Sequence, residues 1–136
     1  MDSLEDVPLF SDLRYEDLWL GQRWGPFAES VEQATSDGLR GAIDARVTGA
    51  EAPLGILPLL TLRALRRALN GIIPGGVLIR QSFAVVDRLP SACEVAIDVS
   101  ISAQDRRPSG FYTTFSFALS RGGAVAAIVE WMILAP

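Results

Sequence analysis

The stretch PLLTLRALRRALN at residues 58–70 decides the fold of this chain. Its leucines and alanines cover most of a helical circumference, and its polar side chains recur at i, i+3, i+4 and i+7, which leaves one narrow polar stripe. Proline suits the first turn of a helix, and the glycine at position 71 is a typical helix end. A helix that is apolar on so many sides must be covered by another layer. The stripe consists of Arg63, Arg66, Arg67 and Asn70.

The residues after this helix predict a sheet that can cover it. Strand-like segments span 77–86, 94–104, 111–120 and 125–134, and Arg121-Gly122-Gly123 between the last two is typical of a hairpin turn. The segment 125–134 is the most uniformly apolar, as a central or interface strand would be. The segment 94–104 alternates cleanly, with one apolar face. That face is formed by Val95, Ile97, Val99, Ile101 and Ala103.

The residues before the helix predict a strand and a shorter helix. A strand is expected at 24–30, and apolar residues at three- and four-residue steps over 31–43 indicate a helix. Ser30 and Gln33 have the spacing of a capping box at the start of this helix. Residues 45–55 are expected to form a loop. We assign residues 1–14 to an N-terminal arm and residues 15–136 to a single domain.

This order of elements predicts an α+β fold. An antiparallel sheet with one buried face needs a cover, and the helix at 58–70 is the only predicted element that is long and apolar enough. A curved antiparallel sheet wrapped around one long central helix is the hotdog fold. One sheet edge remains open in such a fold, and the segment 125–134 is too apolar to be left in water, so we expect at least a dimer.

The composition excludes several kinds of chemistry. The 136 residues contain no histidine, one cysteine and twelve basic residues that are all arginine. Intrachain disulfides, histidine-assisted nucleophiles and most zinc and haem sites are therefore excluded, and we expect no metal and no cofactor. The net charge of −4 and the absence of a dense basic face argue against nucleic acid. No apolar run is long enough for a membrane span, and the acidic start is not typical of a signal peptide, so we expect a cytoplasmic protein.

Two stretches carry a resemblance to a known family. YEDLWLGQRWGPF at 15–27 and IPGGVLIRQSFAVVDRLP at 73–90, together with the helix that Ser30 opens, resemble the MaoC-like branch of hotdog proteins. This branch includes the (R)-specific enoyl-CoA hydratases and dehydratases. The resemblance covers most of residues 15–134, and it implies a hotdog fold and a ligand that is an acyl thioester of coenzyme A or of an acyl carrier.

The resemblance also implies where a catalytic residue would lie. The family uses an Asp-x-Asn-Pro-x-His motif after the first helix, in which the aspartate and histidine hold the reacting water. Asp44 corresponds to that aspartate, but Gly49 stands at the position of the histidine, and Leu57-Pro58 replaces a His-Gly pair that opens the central helix in the family. Asp44 is thus the candidate catalytic residue, and the alternative is a solvated residue at a helix end.

The candidate substrate-binding residues are Arg46, Gly55, Gly75, Gly76 and Ser82. Arg46 has the charge to bind a phosphate of coenzyme A or to pair with Asp44. The two adjacent glycines would let a pantetheine chain approach the backbone closely, although an ordinary turn explains them as well. Ser82 would line a ligand tunnel, although the alternation of a strand also explains it. Cys93 has no activating neighbour in the sequence and is expected to be inert.

These residues leave several functions open. The chain is either a hydratase or dehydratase with an altered site, or a thioesterase that uses a lone carboxylate. It is alternatively a non-catalytic subunit that shapes the substrate tunnel of a heteromeric hydratase. The expected partner is a second copy or another hotdog chain. A carrier of small ligands unrelated to coenzyme A is a further alternative.

Overall fold

The computed structural model of the chain describes residues 4–42 and 51–136. Two single-turn 3-10 helices, Leu4–Asp6 and Tyr15–Asp17, precede the main elements. The helices are α1 (Gln33–Ala42) and α2 (Ile56–Leu69), and the strands are β1 (Arg23–Val31), β2 (Val77–Val85), β3 (Cys93–Arg107), β4 (Gly110–Arg121) and β5 (Ala124–Ala135).

The five strands form one antiparallel sheet in the order β1-β3-β4-β5-β2. The predicted hairpin turn joins β4 to β5 through Gly122 and Gly123, whose φ angles of 55° and 82° lie in the left-handed region. Two consecutive positive φ angles are the requirement of a type I′ turn, which glycine meets without strain. The curved sheet wraps around α2, so the expected α+β hotdog fold is confirmed.

The long helix lies in the concave face of the sheet because its apolar residues face the inward side chains of the strands. Leu60, Ala64 and Leu65 of α2 are buried together with Phe115 and Phe117 of β4. The helix begins two residues before the predicted start. It ends at the left-handed residue Asn70, whose backbone N–H donates to carbonyls of the last turn. This ending satisfies carbonyl groups that a helix otherwise leaves unpaired.

The backbone turns back along the end of α2. Residues 9–11 run beside Ile72, with hydrogen bonds from the Ser11 N–H to the Ile72 carbonyl and from the Ile72 N–H to the Leu9 carbonyl. Gly71 has a φ of 120°, and a Cβ atom there would lie 2.6 Å from the backbone of Phe10. Only glycine therefore allows this close approach.

The apolar strand β5 lies inside the sheet, between β4 and β2, so its prediction as a central strand is confirmed and the expectation that this strand would need a partner chain is wrong. The open edge that carries apolar residues is instead β2. Eight of its nine residues are exposed, and they include Val77, Leu78, Ile79, Phe83 and Val85. An apolar edge strand with free backbone groups is a site for pairing with another chain.

Two local predictions were wrong. Ser30 does not cap α1, because it belongs to β1, where its hydroxyl contacts the carboxylate of Glu94 on β3, and α1 begins at Gln33. Ala103 does not continue the inward face of β3, because the pairing with β4 shifts register between Ile101 and Ala103 and leaves Ala103 exposed. In both cases pairing between strands overrides a pattern that is local in sequence.

A buried carboxylate connects α2 to β1. Glu29 of β1 is 1% exposed, and each of its carboxylate oxygens accepts a hydrogen bond of 2.8 Å from an arginine Nε of α2. Arg63 donates to Oε2 and Arg67 to Oε1, and only Arg63 reaches substantially into solvent. We call these three residues the Glu29 cluster. Two arginines of the predicted polar stripe, Arg63 and Arg67, therefore bind a buried carboxylate.

We predict that Glu29→Gln lowers the free energy of unfolding by about 3 kcal/mol, because it removes the negative charge that compensates two partly buried guanidinium groups. Urea denaturation of the purified protein measures this change. The matched control is Glu16→Gln, which makes the same substitution at an exposed site and should cost less than about 0.5 kcal/mol. Equal denaturation midpoints for the two variants would contradict the structural role of the cluster.

Candidate functional site

Among the concave sites of the described residues, two lie on different sides of α2. The first, which we call the α1–α2 cleft, has a volume of about 220 Å³ and lies between β1, α1 and α2. Its walls include Thr35 of α1, Leu59 of α2 and the Glu29 cluster residues Glu29 and Arg63. Both oxygens of Glu29 already accept hydrogen bonds from arginine. These hydrogen bonds connect the carboxylate of β1 to α2 and hold the two elements together.

The second site, which we call the α2–β5 cavity, lies on the opposite side of α2, under β5 and the start of β2. It has a volume of about 180 Å³. Its walls are almost entirely apolar, and Leu78 at its rim is exposed. An apolar cavity of this size is a place for a hydrocarbon group, since water gains few hydrogen bonds there. Leu62, Leu65 and Leu69 of α2 and Ile133 of β5 form most of the wall.

Among the described residues that line this cavity, polar side-chain atoms come only from Tyr15 and Trp131. The Tyr15 hydroxyl lies 3.5 Å from the carbonyl oxygen of Ile73, and burial raises the pKa of this phenol, so it stays protonated. Trp131 is 7% exposed, and its indole N–H has no partner in the described structure. A buried donor without an acceptor costs about 1–3 kcal/mol. The indole nitrogen is itself fully buried, so this donor does not open into the cavity.

The structure separates the predicted substrate-binding residues. Gly55 precedes the first residue of α2 and is exposed, whereas Gly75 and Gly76 follow the other end of this helix, about 20 Å away. Gly76 lines the α2–β5 cavity, and a Cβ atom there would collide with the Tyr15 hydroxyl. Gly75 lies at the turn before β2 with open space around it.

Ser82 lies on the face of the sheet that is opposite α2. It pairs in register with Glu130 of β5, whereas its neighbour Gln81 pairs with the inward residue Trp131. Ser82 is exposed and does not border either of the two sites beside α2. Asp44 and Arg46 lie outside the described residues, so their roles stay predictions.

Two residues with clear structural consequences were not selected from the sequence. Glu29 stands between Phe27 and Val31 at strand spacing, so alternation alone places its carboxylate on the inward face. The arginines that recur on one face of α2 indicated where positively charged partners for this carboxylate would lie. Trp131 carried no such signal, because an unpaired indole is visible only once its surroundings are known.

Cys93 is not an activated nucleophile. Burial raises the pKa of its thiol, and Glu94 acts in the same direction while Arg121 opposes it. The Sγ atom lies 3.7 Å from the carbonyl oxygen of Pro90. In residues 4–42 and 51–136, no group of three or more acidic, cysteine or histidine side chains is placed to hold a metal ion. The helices in these ranges are all too short or too polar to cross a bilayer.

No protein-family profile matches the chain, and no curated protein sequence matches it. Solved structures do match. The C-terminally truncated HadBC complex of Mycobacterium tuberculosis, a 3R-hydroxyacyl-ACP dehydratase, superimposes with a TM-score of 0.74 at 14% identity, over 85% of this chain and 96% of that chain.

Two further structures are similar to a comparable degree. The R-hydratase PhaJ1 from Pseudomonas aeruginosa has a TM-score of 0.70 at 15% identity, over 90% of this chain and 84% of that chain. A MaoC-like dehydratase from Rhodospirillum rubrum has a TM-score of 0.68 at 17% identity, over 90% and 97%. These structural similarities show that the chain has the same fold as these proteins. The structural neighbours are MaoC-like and (R)-hydratase hotdog proteins, as the resemblance in sequence led us to expect.

We predict that Cys93 reacts with iodoacetamide several-fold more slowly than free cysteine at about pH 8, because a raised pKa leaves less thiolate. The reaction should accelerate as the pH rises toward the pKa of the folded protein, and the mass of the intact chain reports the extent of labelling. In denaturant the rate should reach that of free cysteine, and Cys93→Ser should take no label. Equal rates for the native and unfolded chain would contradict the prediction.

Proposed function

We propose that this chain is a hotdog protein of the (R)-hydratase and dehydratase type that binds acyl thioesters and whose catalytic site is altered. The observation that carries the proposal is the fold, which spans nearly the whole length of a 3R-hydroxyacyl-ACP dehydratase chain. The apolar α2–β5 cavity supports it further, because an acyl group needs a wall without competing polar groups.

The site is altered because the sequence contains no histidine. Hydration of an enoyl thioester requires a base that activates water near neutral pH, and imidazole has the appropriate pKa for this step. Asp44, the sequence counterpart of the family's aspartate, is the remaining candidate for acid-base chemistry. A lone carboxylate would suffice for a thioesterase, whereas a chain without either activity would act as a binding subunit.

We further propose that β2 pairs with a second hotdog chain, and that this chain is a second copy. The edge strand reads VLIRQSFAV over Val77–Val85, with three apolar residues on each side of a polar centre. In an antiparallel pair of two copies centred on Gln81, Arg80 faces Ser82 of the second copy, and the apolar residues that flank this polar centre lie next to each other. Ile79 lies at the register shift between Leu78 and Arg80. Apolar residues thus meet apolar residues, which favours pairing.

The charges in this arrangement are complementary as well. Ser82 pairs in register with Glu130 on the neighbouring strand β5 of the same copy. Arg80 of one copy would therefore lie on the same face of the joined sheet as Glu130 of the second copy, with only strand β2 of the second copy between them. The same contact occurs twice because of the two-fold symmetry. A complex in which the partner is another hotdog chain, as in HadBC, is the alternative outcome.

We predict that the isolated chain does not hydrate crotonyl-CoA at rates typical of enzymes, which are about 1–10³ s⁻¹. The missing imidazole removes an acid-base contribution of about 10²- to 10⁴-fold. Loss of absorbance of the enoyl thioester measures the rate. Turnover within the enzymatic range would contradict the altered site.

Asp44→Asn separates the remaining functions. If the chain has thioesterase activity that a thiol reagent detects, this variant should abolish it, since no second candidate base was found in the sequence. The control Asp12→Asn changes an exposed aspartate in the N-terminal arm and should leave activity unchanged. Binding of an acyl thioester without any turnover, in the wild type and in both variants, would identify a binding subunit.

We predict that the purified wild-type chain is a dimer and that Phe83→Glu converts it to a monomer, because two carboxylates would be buried in the β2 interface. Sedimentation velocity at micromolar concentration measures the mass. The matched control Leu20→Glu places the same charge on an exposed apolar residue outside β2 and should remain dimeric. A monomeric wild type, or a dimeric Phe83→Glu, would rule out this interface.

A further inference from the structure

The α2–β5 cavity is open to solvent beside the edge strand β2. Two residues of its rim, Leu78 and Ile72, are 44% and 36% exposed, and Leu62 of α2 is half-buried. The wall behind this rim is formed by buried apolar residues of α2 and β5. Exposed apolar surface around an apolar pocket is typical of a site that another molecule covers.

The edge strand also carries an exposed aromatic residue, Phe83. Its side chain is 45% exposed, and it pairs in register with the buried residue Val129 of the concave face. Residues that are opposite each other in a sheet point to the same face, so Phe83 lies on the side of the sheet that faces α2. Leu78, which pairs with the cavity residue Ile133, lies on this side as well.

The charges near β2 favour one register for two paired copies of this strand. A pair centred on Arg80 would place two guanidinium groups directly opposite each other, which is unfavourable. A pair centred on Ser82 would place Arg80 opposite Ala84, two residues farther from Glu130 along the neighbouring strand. A pair centred on Gln81 places Arg80 opposite Ser82, with only that strand between Arg80 and the Glu130 carboxylate of the second copy. In the described part of the chain Arg80 forms no salt bridge, so its charge is available for this contact.

This register brings Phe83 of the second copy beside the cavity. Phe83 is two residues from the centre, so in the second copy it lies next to the register shift between Leu78 and Arg80. It faces the same side of the joined sheet as the cavity. An apolar cavity of about 150 Å³ binds benzene, so a space of about 180 Å³ has room for a phenyl ring.

We infer that Phe83 of the second copy inserts into the α2–β5 cavity, and that the same contact occurs twice because of the two-fold symmetry. The inference rests on the proposed function in that β2 pairs with β2 of a second copy and that the cavity is offered to an acyl chain. The ring and an acyl chain would occupy the same space. Pairing of two copies and binding of the acyl chain therefore oppose each other, each by the same factor.

Isotope-filtered NMR of the full-length chain detects this contact directly. The dimer is formed from one copy with ¹³C-labelled leucine methyl groups and one unlabelled copy. We expect cross-peaks from the Phe83 ring of the unlabelled copy to the methyl groups of Leu62 and Leu78, and these peaks should be lost when the unlabelled copy carries Phe83→Leu. The methyl groups of Leu59, an exposed residue of α2 that borders the α1–α2 cleft, should give no such peak. A dimer without the Phe83 peaks would overturn the inference and leave the pairing of β2 in place, whereas a monomeric chain would overturn both.

An exchange of volume between the two contact partners is a second test. Phe83→Ala removes the ring and should raise the dissociation constant of the dimer at least about tenfold. Leu62→Phe fills the cavity of its own copy and should weaken the dimer by a similar factor, because no room for the incoming ring remains. The double variant should recover part of the affinity, since the new ring at position 62 takes the place of the missing one. Leu59→Phe is the matched control on the same helix and should neither weaken the dimer nor rescue Phe83→Ala. Additive losses in the double variant would overturn the inference.

Hexanoyl-CoA tests the competition and separates this inference from the proposed function. We expect it to raise the dissociation constant of the wild-type dimer and to bind Phe83→Ala more tightly than the wild type. Binding that leaves the dissociation constant of the dimer unchanged would overturn the shared use of the cavity. If hexanoyl-CoA binds neither protein while the Phe83 cross-peaks are present, the proposed binding of acyl thioesters fails and the insertion of Phe83 remains.

Discussion

The carboxylate of Glu29 fixes the rotation of α2 in the sheet, and the positions of the cavities and of the apolar surfaces follow from that rotation. A charge that is 1% exposed must be compensated, and the compensation here requires the Nε atoms of Arg63 and Arg67 at 2.8 Å each. Hydrophobic burial alone would tolerate several rotations, since most of the helix circumference is apolar. The hydrogen bonds from Arg63 and Arg67, which lie on two successive turns of the helix, allow only one rotation.

This rotation makes the two sides of α2 chemically different. The arginine side faces β1 and forms the wall of a cleft with charged groups, whereas the leucine side faces β5 and β2 and lines an apolar cavity. The order of the strands leaves β2 at an open edge with exposed apolar residues, next to the leucine side of the helix.

A fold and the residues that carry its chemistry are separable. Solved structures of hydratases and dehydratases share the architecture at 14–17% identity, because a sheet around an apolar helix needs only the right pattern of burial. The chemistry depends on single side chains that the pattern does not constrain. A sequence without histidine can therefore keep the architecture while its acid-base chemistry is replaced or lost.

The sequence by itself determined the long helix, the five strands, their antiparallel character and the hotdog fold. Buried residues recur every 3.6 residues in a helix and every two residues in a strand, so a short stretch of sequence contains the pattern. Tertiary structure decided what depends on neighbours remote in the chain. Pairing with β3 extends β1 to Val31 and so separates Ser30 from the start of α1, and the order of strands made β2 the open edge. Closure of the sheet around α2 brought Glu29 between two arginines and left the indole of Trp131 without a partner among the described residues. The alternation of β1 and the arginine stripe each indicate one half of the first feature, but only the folded chain brings the two halves together.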